Sequence, residues 1–410
     1  MHLFGDLLIF AVLLNGLFLL VHSTRKVPAV AEWKWSILLL GLVWLGWAIF
    51  RDVFSTHVLG LPPRDAVGHE RIGRQVAETL RAGGDVSAYF RLGNPAYQLW
   101  LGFLFAATDC SRIGVDLING FLGFWASVLL LTICAHQVPR ARIPWWLLLL
   151  VVLLPSAFYW TPTNLKEGPM YWGIVQSLSM VLLYRRITIV GSLGVIVMIL
   201  MRPHVALLWV VSLAGALLLS RRYRIFAILA IVGSVALIPA VGDFVGRDLR
   251  TFDDVHEEIQ MRGEAVARGG SATQDEIRIP FVSGFMMLML RPFPWEMHSF
   301  AAALAGIEVY ILTLLLVAFW LPSRKLPALL RHPAILVALV ALVLSALMFS
   351  YWGNLGLVAR QRLQATPAIL MLLCIPALLA RASRAGPSQA PPPHVYPAGF
   401  DATRSINRSH

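Results

Sequence analysis

Residues 94–107 read "NPAYQLWLGFLFAA", and the topology of the whole chain turns on whether this run crosses a membrane. It is apolar, but its 14 residues fall short of the roughly 20 a helix needs to cross the hydrocarbon core. Counted as a span, it inverts every segment that follows. Taken as a helix lying on or dipping into the outer face, it leaves one consistent charge pattern along the chain.

The surrounding sequence is that of an integral membrane protein. Hydrophobic residues make up 58% of the 410 and charged residues only 14%, against roughly 25% charged in a soluble domain. Eleven runs have the composition of spans: Leu3–Val21, Trp35–Phe50, Ile113–Ala135, Trp145–Trp160, Pro169–Tyr184, Ile187–Met201, Val205–Leu219, Ile225–Val241, Phe300–Leu321, Ala334–Ser350 and Pro367–Ala380. Several are shorter than about 20 residues, a shortfall that the placing of run boundaries accounts for. The expected fold is all-α: a polytopic transmembrane domain over residues 1–380 with about 11 helices, followed by a polar, Pro-rich tail over 381–410 that reads as disordered. Phe281–Leu290 is another short apolar run and gets the surface-helix reading. The first run lacks a basic leader and contains Asp6 and Asn15, so it is expected to be a retained span and not a signal peptide. Of the three cysteines, none has metal-type spacing; Cys134 and Cys374 lie in apolar runs and read as small hydrophobes.

A net charge of +12 in a soluble protein would point to nucleic acid. Here the arginines punctuate apolar runs, so topology explains them and no nucleic-acid partner is expected. With the N-terminus outside, the cytoplasmic segments are 22–34, 136–144, 185–186, 220–224, 322–333 and the tail from 381. They carry 17 of the 34 basic residues and only two of the 22 acids, Glu32 and Asp401. Basic turns belong inside. The expected setting is a plasma (inner) membrane, with the C-terminus cytoplasmic.

The other polar residues then gather outside. Two large outer loops span 51–112 and 242–299. The first contains "PPRDAVGHERIGRQVAETLRAGG" (62–84): Pro62-Pro63 stops one helix, Asp65 opens another, and Gly83-Gly84 ends it. Val67, Ile72, Val76, Ala77 and Leu80 form a rough apolar stripe, so this helix is expected along the membrane surface. Asp65 and His69, four apart, share a face. The stretch from Gly242 to Pro280 is dense in charge and reads as a solvated face. Short outer turns carry "NLKEG" (164–168), "RPH" (202–204), "RPFPWE" (291–296) and "GNLGLVARQR" (353–362). One arginine at such a place snorkels to headgroups. Lys166, Arg202, Arg291, Arg360 and Arg362 together, on the face opposite the basic turns, are not accounted for by the positive-inside rule. An anionic ligand at the outer leaflet accounts for them, because Lys and Arg neutralise phosphate and the Arg fork binds it through two hydrogen bonds. His204, following Arg202-Pro203, either joins this set or caps its turn.

"RDAVGHERIGRQVAETLRAGG" (64–84) resembles the first outer loop of the GT-C membrane glycosyltransferases, where an aspartate just after a span begins a juxtamembrane helix. "GNPAYQLWLGFLFAATDCSRIGVDLINGFLGFWASVLL" (93–130) is similar to that family's Pro-led surface helix, polar break and Asn- or Ser-bearing span. "LLPSAFYWTPTNLKEGPMYWGI" (153–174) resembles its next outer turn, which often carries a second acid. The resemblance covers about residues 36–190. Departures are Ala66, where many members have an acid directly after the first aspartate, an extra first span, and no soluble C-terminal domain.

The resemblance implies transfer of a sugar from a polyprenyl-phosphate-linked donor to a glycan, lipid or protein acceptor at the outer face, usually with inversion. A carboxylate must orient or deprotonate the acceptor, and cations must stabilise the departing phosphate. Asp65 fits the first role and Glu167 the position of the second acid. His69, Lys166, Arg202, His204, Arg291, Arg360 and Arg362 are the candidate substrate-binding residues. No cofactor is expected. A divalent metal held by Asp65 and His69 rests on two ligands only, which is weak support. Two other readings stay open: a polysaccharide polymerase or ligase joining two lipid-linked glycans, and a transporter or flippase of lipid-linked sugars. For the last, neither interrupted midplane helices nor repeats are evident.

The topology is checked by reporter fusions after residues 142, 167, 223 and 270, which should read in, out, in, out. A cytoplasmic signal at 167 would sink both the orientation and the outer site.

Overall fold

The computed structural model describes residues 2–24, 27–54, 64–138, 141–218, 281–297, 299–321, 329–350 and 355–384, with isolated positions between 224 and 233. Among them the chain is helical throughout, without strands. The helices are α1 (His2–Thr24), α2 (Lys34–Val53), α3 (Arg64–Arg81), α4 (Asn94–Thr108), α5 (Arg112–His136), α6 (Trp145–Val152), α7 (Pro155–Trp160), α8 (Glu167–Leu182), α9 (Ile189–Met201), α10 (Pro203–Leu218), α11 (Val282–Met289), α12 (Phe300–Trp320), α13 (Pro333–Phe349), α14 (Leu355–Gln361) and α15 (Thr366–Arg384). Five are long and apolar enough to cross a membrane: α1, α2, α5, α12 and Thr366–Ser383 of α15. Trp145–Trp160, α9, α13 and the apolar part of α10 are shorter. This is an all-α membrane protein. Most of the run Ile225–Val241, the charged stretch Gly242–Pro280 and the tail beyond Arg384 lie outside the described residues.

Backbone polarity explains the helices: in hydrocarbon each N–H and C=O must be satisfied within the chain. Three helix starts are capped by local side chains. Ser111 Oγ accepts the Ile113 N–H at the start of α5, Thr188 Oγ1 accepts the Gly191 N–H before α9, and Ser299 Oγ accepts the Ala302 N–H in the first turn of α12.

Cross-chain contacts sort the helix ends into two groups. At one end, Asp6 Oδ1 accepts the Ser111 N–H (2.8 Å), Arg112 pairs with Asp52 (2.5 Å), Arg51 donates to the Tyr159 carbonyl (2.8 Å) and the Gly93 N–H donates to the Leu200 carbonyl (2.7 Å). At the other, Trp33 donates to the Ile143 carbonyl (3.0 Å), Gln137 donates to the Leu182 carbonyl (2.8 Å) and His332 meets the Gln137 backbone. Successive long segments therefore run back and forth between a Tyr159 end and a Trp33 end. α5 is at the centre, buried along most of its length and packed on α1, α2, α6, α8 and α15.

One traverse is broken. Trp145–Trp160 is two helices, because Pro155 lacks the N–H needed to continue α6. The freed N–H of Ser156 and its hydroxyl both donate to the carboxylate of Glu308 on α12, which is buried. An acid inside an apolar helix is thereby matched to an orphaned helix N-terminus.

The run 94–107 lies in α4, a 15-residue helix over Asn94–Thr108 that pairs with α3 and does not stand alone. His69 meets Tyr97 and Gln98, Gly73 faces Leu101, and Arg81 donates to the Phe105 carbonyl, so α3 and α4 run parallel. The segment between them returns along the pair and packs Val86 and Tyr89 against Val76 and Leu80. The buried stripe of α3 is Ala66, His69, Gly73, Val76 and Ala77, spaced for one helical face. This corrects the expected stripe: Val67 is exposed, because contact with α4 needs small residues at the seam.

A side chain at Gly73 would place its Cβ 2.7 Å from Leu101 Cβ, whereas a Cβ at Gly68 meets nothing within 4 Å. Gly73→Val should therefore lower thermal stability by about 1–3 kcal/mol through overpacking, and Gly68→Ala should leave it unchanged or raise it slightly. Thermal unfolding of both variants checks this; equal stability would mean the helices are not in close contact.

Candidate functional site

Four helix starts meet at the Tyr159 end, and each brings a polar side chain. Asp65 lies in the first turn of α3, Asn94 begins α4, Glu167 begins α8, and Arg202 immediately precedes α10. Arg360, near the end of α14, completes the group. Helix N-termini present free N–H groups and a partial positive charge, so this end favours anions even before side chains are counted.

Glu167 is at the centre. Its carboxylate is 2% exposed and takes Arg202 Nη2 at 2.8 Å and Arg360 Nε at 3.1 Å on the same oxygen. The second approach is an ion pair without aligned hydrogen-bond geometry. Arg360 Nη1 also pairs with Asp65 at 2.8 Å, so one guanidinium bridges both acids. The Asp65 side chain stays 59% exposed, which leaves its carboxylate open to a ligand. Lys166, half-buried, donates to Asn94 Oδ1 at 2.6 Å. Burial, and then Arg202, pull its ammonium down to about 7, against the opposing pull of Glu167. Arg202 is 4% exposed, and its Nη1 has no hydrogen-bond partner among the described residues.

His69 faces inward beneath this group. Burial, and then Lys166, hold its imidazole down at about 4, so near neutral pH it is an uncharged donor and acceptor and adds no charge for a phosphate. Its Nδ1 lies 3.4 Å from the Gln98 amide and its ring stands edge-on to Tyr97.

The turn that carries Lys166 and Glu167 is held from below. Asn119, fully buried on α5, donates to the carbonyls of Thr163 (2.5 Å) and Leu165 (3.1 Å) and approaches the Tyr97 hydroxyl at 3.3 Å. The Tyr97 hydroxyl donates to Asn164 Oδ1 at 2.9 Å, and Asn164 Nδ2 donates to the Ala66 carbonyl at 3.2 Å. One chain of hydrogen bonds thus ties the backbone beside Asp65 to the backbone beside Glu167.

The structure brings Asp65, His69, Lys166, Glu167, Arg202 and Arg360 together from the set singled out by sequence. It places Arg291 and Arg362 differently. Arg291 is clamped to Glu296 and lies over the Phe293 ring. Arg362 is 1% exposed, and its guanidinium donates to the carbonyls of Ala305, Met287 and Arg291. Arg362 thus satisfies carbonyls where α11 meets α12 and Arg291 pairs with Glu296 beside it, so neither of these expected substrate-binding residues joins the cluster around Glu167. His204 is half-buried as the second residue of α10. No group of three or more metal-ligating side chains occurs among the described residues.

Sequence reasoning missed Asn119, Tyr97 and Asn164, and also Asp116. Asp116 is 1% exposed inside α5, near Arg51 and Asp52, and its Oδ1 is unpartnered. The available signal was a pair of polar residues, Asp116 and Asn119, one turn apart in an apolar helix.

The lowered amine gives a pH test. Unfolded, Lys166 keeps its proton to about 10.5; folded, it releases it near 7. Between those values the unfolded chain holds more protons, so stability from this group rises with pH and is lowest below 7. Lys166→Met should therefore gain most thermal stability over wild type near pH 6, and the gain should shrink towards pH 10. A difference flat across that range would place the amine in open water.

Comparison with known protein families, with curated proteins and with solved structures finds no match to this chain.

Proposed function

We propose that the protein is a membrane glycosyltransferase of GT-C type that takes a sugar from a polyprenyl-phosphate-linked donor at the outer leaflet and passes it to a glycan, lipid or protein acceptor. In this reading the chain crosses the membrane eleven times, with its N-terminus outside and its C-terminus in the cytoplasm, and the Tyr159 end faces out. The observation that carries it is the joining of Asp65, Glu167, Lys166, Arg202 and Arg360, which are scattered over 295 residues of sequence, at the end opposite the basic turns.

The chemistry follows from those positions. The exposed Asp65 carboxylate orients the acceptor hydroxyl and takes its proton as the anomeric carbon is attacked. Lys166 and the Arg202–Arg360 pair meet the phosphate as it departs with the bonding electrons, and the helix starts add to their field. Glu167 keeps the two guanidinium groups apart and fixed. A phosphate arriving beside Lys166 favours the charged amine, so carrier binding should be coupled to proton uptake above about pH 7. The second reading, a transporter of lipid-linked sugars, is favoured by Asp116, a buried acid inside a span with an unpartnered oxygen.

Asp65→Asn separates the two. Sugar transfer from a radiolabelled polyprenyl-phosphate donor in proteoliposomes should fall about 10²-fold or more, the scale of general-base loss, while carrier binding changes far less. Arg202→Lys keeps a charge against Glu167 but loses the fork, so carrier binding and transfer should fall together. Wild-type transfer by Asp65→Asn would remove Asp65 from the mechanism, and absence of transfer by the wild-type protein, with carrier binding intact, would move the transporter reading ahead.

A further inference from the structure

Just below the charged group lies a set of polar atoms without partners. Gln364 is 4% exposed, and both Oε1 and Nε2 of its amide are unpaired; Gln361 is 9% exposed with Oε1 unpaired; Arg202 is 4% exposed with Nη1 unpaired. Buried polar groups in folded chains are nearly always paired, with protein, water or ligand. These belong to one neighbourhood. Arg360 reaches Glu167, and the tight turn Arg362–Gln364 that follows it packs on α8. The Gln364 carbonyl accepts Trp209 Nε1 at 3.2 Å. Trp209 is seven residues after Arg202, two turns along α10, or about 10 Å. The segment 360–364 therefore lies between α8 and α10, from Arg202 inward.

The chemistry of the unpaired atoms narrows the occupant. Gln361 Oε1 and Gln364 Oε1 accept; Gln364 Nε2 and Arg202 Nη1 donate. Both atoms of the Gln364 amide are free, so its flip state does not change the count. An ionised phosphate supplies acceptors only and leaves the two amide oxygens unmatched. An isoprenoid chain supplies neither. Hydroxyl groups both donate and accept, and a sugar presents several of them in fixed directions.

We propose that Gln361, Gln364 and Arg202 Nη1 form a subsite for the hydroxyl groups of the sugar, next to the phosphate-facing cations. This rests on the reading of the site as one for a lipid-linked sugar. Arg202 belongs to both parts: one nitrogen holds Glu167 and the other faces the sugar. The glutamines act on the sugar alone and decide which sugar is accepted, because a buried amide left unpaired by a missing hydroxyl weakens binding.

The test uses the full chain in lipid nanodiscs. Undecaprenyl phosphate without sugar, and the same lipid carrying glucose, galactose, mannose or arabinose, are titrated against wild type, Gln364→Met and Gln361→Met. Met matches Gln in length and shape and removes the amide. At least one sugar should tighten binding about tenfold or more over the bare lipid, the scale of two hydrogen bonds, and either variant should cut that increment severely. Because the Gln364 amide has no hydrogen-bond partner among the described residues, Gln364→Met should unfold no lower than wild type. Three results would overturn the subsite: no sugar adds affinity, the increment survives both variants, or Gln364→Met unfolds well below wild type. The first would mean that the amides bind ordered water only. Failure of bare undecaprenyl phosphate to bind wild type would instead strike at the proposed function itself.

Discussion

A carboxylate at Glu167, shut away from solvent at the first residue of α8, constrains everything around it. Removing a charge from water costs several kcal/mol, and breaking a buried pair leaves about 3–5 kcal/mol unmet. The chain meets that constraint with two guanidinium groups from opposite halves of the sequence, Arg202 and Arg360. Neither arginine is free to swing towards the membrane surface as a lone interfacial arginine would. Three helices, α8, α10 and α14, are thereby fixed to one point, and Arg360 extends the tie to α3 through Asp65.

The uncharged network beneath performs the complementary task. Charges set which elements meet, but they fix direction weakly. Asn119, Tyr97 and Asn164 fix it, because each hydrogen bond has a preferred line and all three side chains are buried. Gly168, against the Asn119 backbone, allows the turn to sit this close; a Cβ there would stand 2.7 Å from the Asn119 carbonyl oxygen. Pre-set geometry of this kind is what a site needs if its groups are to meet a developing charge without rearranging.

Much of this was legible in the sequence, for identifiable reasons. The apolar runs and basic turns follow from bilayer physics, which acts residue by residue, so helix identity was readable, and the helix over 94–107 is not among those long and apolar enough to cross a membrane. The charges at 166, 167, 202 and 360 stood out because each lies in a short turn between apolar segments, and Asp65 because it opens a helix after Pro62-Pro63. Arg291 and Arg362 stood out equally, yet they lie apart from that cluster. Sequence records that a charge is present but not whether it faces a ligand or a backbone carbonyl, and Arg362 spends its guanidinium on three carbonyls. The seam of α3 was read only in part, at Val76 and Ala77, because close helix contact is also made by Ala66 and Gly73, small residues that hydrophobic patterning underweights. Asn119, Tyr97 and Asn164 were missed because each is ordinary alone and acquires meaning only from partners 22 to 98 positions away.

The long reach from Asp65 to Arg360 also sets an order of events during biosynthesis. These partners are 295 residues apart, so α3 is translated long before the arginine that neutralises its aspartate exists. Glu167 and Arg202, only 35 residues apart, leave the ribosome close together and can pair while the rest is still being made. The early helices thus reach the bilayer with a half-neutralised site whose exposed acid stays in water, and the bundle closes when α14 and α15 arrive. Truncation near the C-terminus would then leave inserted helices around an unfinished charge cluster, the kind of partly assembled chain that quality-control proteases recognise.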